Sequence, residues 1–289
     1  MTRMPIWILL LMMSAAVPAL EGTVIERAKG STKAPYGFVE FLPKGYDASA
    51  DKRWPLVVFL HGAGENGDGN KDLVHMKGRG PLKAILAGMD LPAVVITPQA
   101  EQWFWYGTVE DFITVCQAMY RIDEQKISLT GYSAGGKVTW DCANADPQRF
   151  AAVVPICGLY QDNEKKNPLD PARLVGLPVW AFHNYDDTTV GRDNSIRWLD
   201  GIAAAIAYGP SPVMAAYVGN DQQRPEAATA TLAVDGTWQW RPVASAPLAA
   251  KVLFTVYARG GHDAWTRTYA LPAMWEWLLA QSRPPATRK

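Results

Sequence analysis

The chain is short of several things, and each shortage removes a class of function. Its 28 basic residues are balanced by 28 acidic ones over 289 positions, so no net field draws it to nucleic acid or to an anionic membrane surface. One apolar stretch stands out, residues 6–13, and it is too short to span a bilayer. Cysteines number three. Cys116 and Cys142 fall in expected helices and Cys157 just after an expected strand, the pattern of small buried hydrophobes, and their spacing fits no zinc site. An oxidising compartment would permit one disulfide among them, and sequence does not pair them. Histidines number four, so few that chain order narrows the choice of a catalytic base. No internal repeat or low-complexity tract is present.

What remains is ample for one large core. The chain is 48% hydrophobic, and its length fits a single α/β domain better than two small ones. Residues 1–19 read as a removable leader. Arg3 supplies the positive end, residues 6–13 the apolar centre and Ala16-Val17-Pro18-Ala19 a small-residue cleavage site. The expectation is an exported protein, periplasmic or extracellular, whose mature domain spans 20–289.

Buried strands alternate with helices along that domain. Strands are expected over 36–42, 55–60, 93–97, 127–130, 152–156, 178–183 and 251–257, several as continuous apolar runs covered on both faces. Helices are expected over 81–88, 108–121, 137–145, 194–207 and 265–280. That alternation implies a mostly parallel sheet between two helical layers. About forty residues, 208–250, break the rhythm, because connections are usually a few residues long. Within them, 229–234 and 237–241 flank Asp235-Gly236 and read as a hairpin, with Trp238 and Trp240 on one face.

The chemistry centres on Gly131-Tyr132-Ser133-Ala134-Gly135. Strand, G-x-S-x-G, helix is the nucleophile elbow, a strained turn that lifts a serine hydroxyl clear of the sheet. A serine needs a base to take its proton and an acid to orient that base, in the chain order Ser, Asp or Glu, His for this kind of fold. His61 and His75 precede Ser133, and His183 ends a strand before any acid could follow. His262, in Gly260-Gly261-His262-Asp263, satisfies the order. The acid belongs on the loop after strand 178–183, where Asp186 and Asp187 stand side by side. Neighbours point different ways, so one faces the base and the other is a turn residue. Backbone N–H groups of Ala134 and of Ala63, in Gly62-Ala63-Gly64 after a buried strand, suit an oxyanion hole. The run Gly62-Ala63-Gly64-Glu65-Asn66-Gly67 also matches G-x-G-x-x-G, but no helix opens after it and no βαβ unit begins there. No dinucleotide and no other cofactor is expected. Glu65, Asp68 and Asp72 match no calcium loop, so no metal is expected either.

These stretches, together with Trp54–Glu65, Gly80-Pro81, Asp146–Ala152, Pro155–Gly158 and His262-Asp263-Ala264-Trp265, resemble the serine esterases of the α/β-hydrolase family. The resemblance is to the group that includes feruloyl and acetylxylan esterases and polyhydroxybutyrate-depolymerase-like proteins. It covers nearly the whole mature chain. It implies the α/β-hydrolase fold without a large lid, and an ester hydrolase working through an acyl-enzyme. Laying the family pattern His-Gly-x-x-Asp on His183-Asn184-Tyr185-Asp186-Asp187 assigns the acid to Asp187, with Asn184 where the family has glycine.

The same resemblance implies that residues 101–106, with Trp103 and Trp105, border the site. Tyr132 and Trp238 are the other candidates for touching substrate, since flat aromatic faces suit sugar rings and phenolic acyl groups. The expected partner is a small or oligomeric ester. A peptidase of the prolyl-oligopeptidase type shares this catalytic core but is expected to carry an extra domain. A non-catalytic binding protein on this fold is expected to lack a triad member.

Overall fold

A computed structural model describes residues 22–161, 168–217, 226–243 and 248–284; the leader expected at 1–19 lies outside the described residues. Ten strands run in the order β1 (Thr23–Arg27), β2 (Gly37–Leu42), β3 (Trp54–Leu60), β4 (Val94–Gln99), β5 (Ile122–Tyr132), β6 (Ala152–Ile156), β7 (Val179–Asn184), β8 (Ala227–Leu232), β9 (Trp238–Pro242) and β10 (Val252–Tyr257). The helices are α1 (Gly80–Leu86), α2 (Tyr106–Met119), α3 (Ala134–Ala145), α4 (Asp193–Ala207), α5 (Trp265–Tyr269) and α6 (Pro272–Ala280).

All ten strands join one sheet in the order β1-β2-β4-β3-β5-β6-β7-β10-β8-β9. The six strands from β4 to β10 are parallel, while β1-β2 at one edge and β8-β9 at the other are antiparallel additions. Their continuous apolar runs follow from burial on both faces. In β3, Leu56, Val58 and Leu60 face one core, with α2, α3 and α4; Val57 and Phe59 face the other, with α1 and α6. Trp140 on α3 stacks on Trp198 of α4 with centroids 5.0 Å apart and planes 9° apart, closing the first core. Trp180 meets Trp277 edge-on in the second.

Three departures from the sequence reading have physical causes. The expected final helix 265–280 is two helices, because Pro272 lacks an N–H and biases Leu271 out of helical geometry, with Leu271 at φ −87°, ψ 106°. The edge strand β1 was not expected. Its half-exposed, mixed sequence carries no buried apolar run, and it forms by pairing antiparallel with β2. The third concerns how the expected hairpin is joined: it is present, and the sequence did not foretell that β8 pairs with β10 and extends the sheet.

Parallel strands have their carboxyl ends at one rim, the place where open α/β sheets bind ligands. Leu60, Gln99, Tyr132, Ile156, Asn184 and Tyr257 all end there. The loops that follow hold every residue of the candidate site.

Candidate active site

Ser133 follows the last residue of β5 and precedes α3. Its backbone sits at φ 54°, ψ −117°, a conformation that L-residues rarely adopt. Surrounding contacts hold it there. Its N–H donates to Ile156 O at 2.9 Å, and its own carbonyl receives Lys137 N–H at 2.9 Å as the first helical bond of α3. Strand and helix press so closely that a Cβ on Gly135 would lie 2.1 Å from Leu60 O, and one on Gly131 would lie 2.6 Å from Gly135 O. Only glycine fits either position. The same contact brings the start of α3, next to the Ala134 N–H, against the end of β3 at Leu60 and His61.

His262 hangs on the loop after β10. Gly260 and Gly261 have φ of 146° and 57°, and their N–H groups donate to the Asp186 carboxylate at 3.3 and 2.9 Å. Asn184 Nδ2 donates to Gly261 O at 2.9 Å. A Cβ on Gly260 would come within 2.6 Å of that amide nitrogen. The Cys157 thiol donates to His262 O at 3.5 Å. The imidazole is thus held through its backbone from three directions. Its Nε2 lies 2.8 Å from Ser133 Oγ and its Nδ1 2.7 Å from Asp187 Oδ2. A carboxylate can only accept, so Nδ1 carries the proton and Nε2 is free to receive one from serine.

Asp187 is buried, and all its visible partners are donors. Oδ1 accepts from the N–H groups of Thr189 and Val190, both at 2.9 Å. Burial alone would raise its pKa; hydrogen bonds from His183, His262 and Val190 overcome that and hold it at about 2. Asp186, its exposed neighbour, faces the glycines instead of the ring.

His61 is also buried, donating from Nδ1 to Gly62 O at 2.7 Å and accepting Ala100 N–H at Nε2 at 3.0 Å. Burial lowers its pKa to about 4, so it is neutral and ties the 62–65 turn to the end of β4. Its ring packs on Phe104, with centroids 4.7 Å apart. Phe104 anchors the aromatic loop, and Trp103 and Trp105 on either side are 64% and 42% exposed at the rim.

Two aromatic residues are placed differently from the sequence reading. Trp238 is not at the site: it is buried in the core with Nε1 donating to Ser211 O at 3.1 Å, and Trp240 likewise donates to Val213 O. Both indoles pack the hairpin onto the domain. Tyr132 is 2% exposed beneath Trp265, ring to ring at 4.3 Å and 17°, so it supports the wall without forming it. Trp265, in turn, stands edge-on to His262 at 5.4 Å.

Sequence reasoning also passed over the supporting bonds of Asn184 and Asp186, which cross to a loop more than 70 residues away, and those of His183, whose partners Asp187, Val190 and Ser195 are near in sequence but form no motif. Cys116, Cys142 and Cys157 are free and buried. Cys157, Asp187 and His262 offer ligand atoms within 4.8 Å of one another. Burial pushes the thiol far up, however, and the proton on His262 Nδ1 already closes the pair with Asp187, so the set suits hydrogen bonding rather than a metal.

Comparison with known proteins points the same way. Residues 105–200 match the model of the prolyl oligopeptidase family. A "Putative carboxymethylenebutenolidase" of Salmonella typhi is 31% identical over 88 residues, which cover 29% of this chain and 33% of that protein. The chain thus matches about a third of the length of this curated relative. A solved thermostable esterase superposes with a TM-score of 0.56 at 25% identity, covering 91% of this chain and 64% of that one. A ferulic acid esterase gives a TM-score of 0.56 at 16% identity over 90% of this chain and 98% of its own. With this sheet order, a strained serine between strand and helix, and these likenesses, the chain is a protein of the α/β-hydrolase fold.

Proposed function

We propose that the protein is an exported serine carboxylic-ester hydrolase acting through Ser133, His262 and Asp187. The observation that carries the reading is the unbroken hydrogen-bond path from Ser133 Oγ through His262 to Asp187 Oδ2, at 2.8 and 2.7 Å. Serine attacks the ester carbonyl as its proton passes to His262 Nε2, and Asp187 stabilises the imidazolium that forms. The N–H groups of Ala134 and Ala63 receive the developing oxyanion. The imidazolium then protonates the leaving alcohol, and a water, activated the same way, releases the acid. Asp187 remains a carboxylate throughout, in keeping with its low pKa.

Substrate preference follows from the rim. Trp103 and Trp105 expose indole faces that suit a sugar-linked, phenolic or short polyester ester. Likeness in fold to a ferulic acid esterase supports the same class. The leader-like residues 1–19 support export. The test has two arms. A serine-directed fluorophosphonate should label the wild type and not Ser133→Ala. A panel of short nitrophenyl esters, methyl ferulate, acetylated xylan and polyester oligomers should then turn over, with Trp105→Ala raising KM for the bulky esters and sparing the acetates. Labelling without turnover of any ester rejects the activity.

A second reading, a peptidase, is favoured by the match of residues 105–200 to the prolyl oligopeptidase family. Cleavage of peptide amides faster than of matched esters would select it.

A further inference from the structure

His183 is a buried titratable group that the reaction above does not use. It is the penultimate residue of β7, is fully shielded from solvent, and both ring nitrogens are engaged. Nδ1 lies 2.9 Å from Ser195 Oγ on α4. Nε2 lies 2.7 Å from Val190 O and 3.3 Å from Asp187 Oδ2. A carbonyl and a carboxylate can only accept, so Nε2 carries the proton that these two oxygens face, and Nδ1 is paired with the serine hydroxyl. Asp187 Oδ2 is the same oxygen that receives His262 Nδ1–H. Val190 closes the loop, because its own N–H donates to Asp187 Oδ1. Strand β7, the 187–190 turn and α4 are thus joined through one imidazole.

We infer that His183 is a positioning residue for the triad: its Nε2 proton, held between Val190 O and Asp187 Oδ2, sets the angle at which Asp187 meets His262 and how much negative charge that oxygen presents to it. The inference rests on Asp187 being the acid of an active hydrolase. Ordinary packing would ask for an apolar side chain at the end of a buried strand, since burying an imidazole requires partners for two nitrogens. Here both partners lie on the elements that shape the acid's turn, and the Nε2 that bonds Val190 O stands 3.3 Å from the carboxylate of Asp187. Other ionisable groups around the pair are accounted for. The Cys157 thiol faces it from the end of β6 and is held neutral by burial. Asp186 faces the glycines, Asp263 caps Thr266, and Arg192 lies over the Tyr185 ring while donating to Tyr185 O.

The sign of the effect can be worked out. Removing the Nε2 donor leaves more charge on Oδ2, which favours the His262 imidazolium, so the acid limb of kcat/KM should move to higher pH. It also frees the carboxylate to rotate, which lowers kcat without touching substrate binding. The experiment is the pH profile of ester hydrolysis for the full chain in four forms. His183→Leu should lower kcat about 10- to 100-fold, as for loss of a hydrogen bond to a charged group, with KM within about twofold. Its acid limb should rise by on the order of half a pH unit. His183→Gln, which keeps an N–H donor, should stay within about threefold of wild type with its acid limb in place. Ser195→Ala, a gentler change, should lower kcat by about two- to fivefold and shift the limb the same way.

A folded Leu variant with the wild-type limb and rate, or a Gln variant as impaired as Leu, overturns the inference. If the Leu variant does not fold, a Ser195→Ala enzyme with wild-type kcat and limb overturns it. Asp187→Asn separates the two readings. If that variant remains active, the triad assignment itself is wrong; if it is inactive while His183 variants are normal, only the positioning role falls.

Discussion

The proposed nucleophile and the proposed base are held by different means. Ser133 is fixed by backbone alone: its N–H is held by Ile156 O, and the glycines on either side exist because α3 presses on β5 and on the end of β3. His262 is fixed from a distance, by Asp186, Asn184 and Cys157, which reach it from loops after two other strands. One side of the site is therefore made by backbone sterics and the other by side-chain hydrogen bonds. The first kind should fail abruptly when a methyl group is added, and the second should erode in steps.

The largest expected effect sharpens the shared endpoint. Ser133→Ala and His262→Ala should each cost on the order of 10⁴-fold or more in kcat, and the double variant no more than the worse single, because the triad acts as a unit. Next is Asp187→Asn, with a loss of roughly 10³- to 10⁴-fold and an unchanged circular dichroism spectrum, since the tautomer and not the fold is lost. Gly135→Ala tests the steric side directly. A Cβ there has to displace the backbone of Leu60, so the variant should lose at least about 3 kcal/mol in denaturant melts or fail to accumulate. Asp186→Ala should cost only about tenfold in kcat, with KM little changed, because Asn184 and Cys157 still hold the loop. If it equals Asp187→Asn, the two aspartates have exchanged roles and the comparison is broken.

The smallest effect is in acid stability, where two groups near the site contribute. His61 has a folded pKa near 4, below the ordinary histidine value of 6.5, so the unfolded chain takes up its proton first and the His61 contribution declines as pH falls from about 6.5 towards 4, opposed by Glu110, whose buried carboxyl is raised to about 7. Asp187, held at about 2 against 3.8, contributes stability above 3.8 that is lost as pH falls through 2. The gap in melting temperature between wild type and His61→Gln, followed from pH 7 to pH 3, should narrow between about pH 6.5 and 4 and stay constant below pH 4.

The same contrast explains what could be read from the chain. The elbow was legible because its requirements sit within consecutive residues, and the parallel strands because burial on both faces leaves unbroken apolar runs. His262 was reached by chain order. The choice between Asp186 and Asp187 could not be made from the residues alone, since two adjacent carboxylates differ only in which loop each one meets. Trp238 misled for a related reason: strand alternation told which side its ring shared with Trp240, but not that this side faces the core. Strand β1 was invisible because pairing with β2, rather than its own pattern, makes it a strand.

The hairpin of β8 and β9 has a consequence beyond packing its tryptophans. Without it, β10 would be the last strand of the sheet, with one side of its backbone open to any chain able to pair with it. The loop that carries His262 springs from that strand, so an unguarded rim would expose the base to register slips and to self-association. With the hairpin in place the sheet ends two strands further out, on a five-residue strand closing with Pro242, a residue that cannot donate to a further neighbour. What looked like an interruption of the α/β rhythm keeps the strand that carries His262 in the interior of its own sheet.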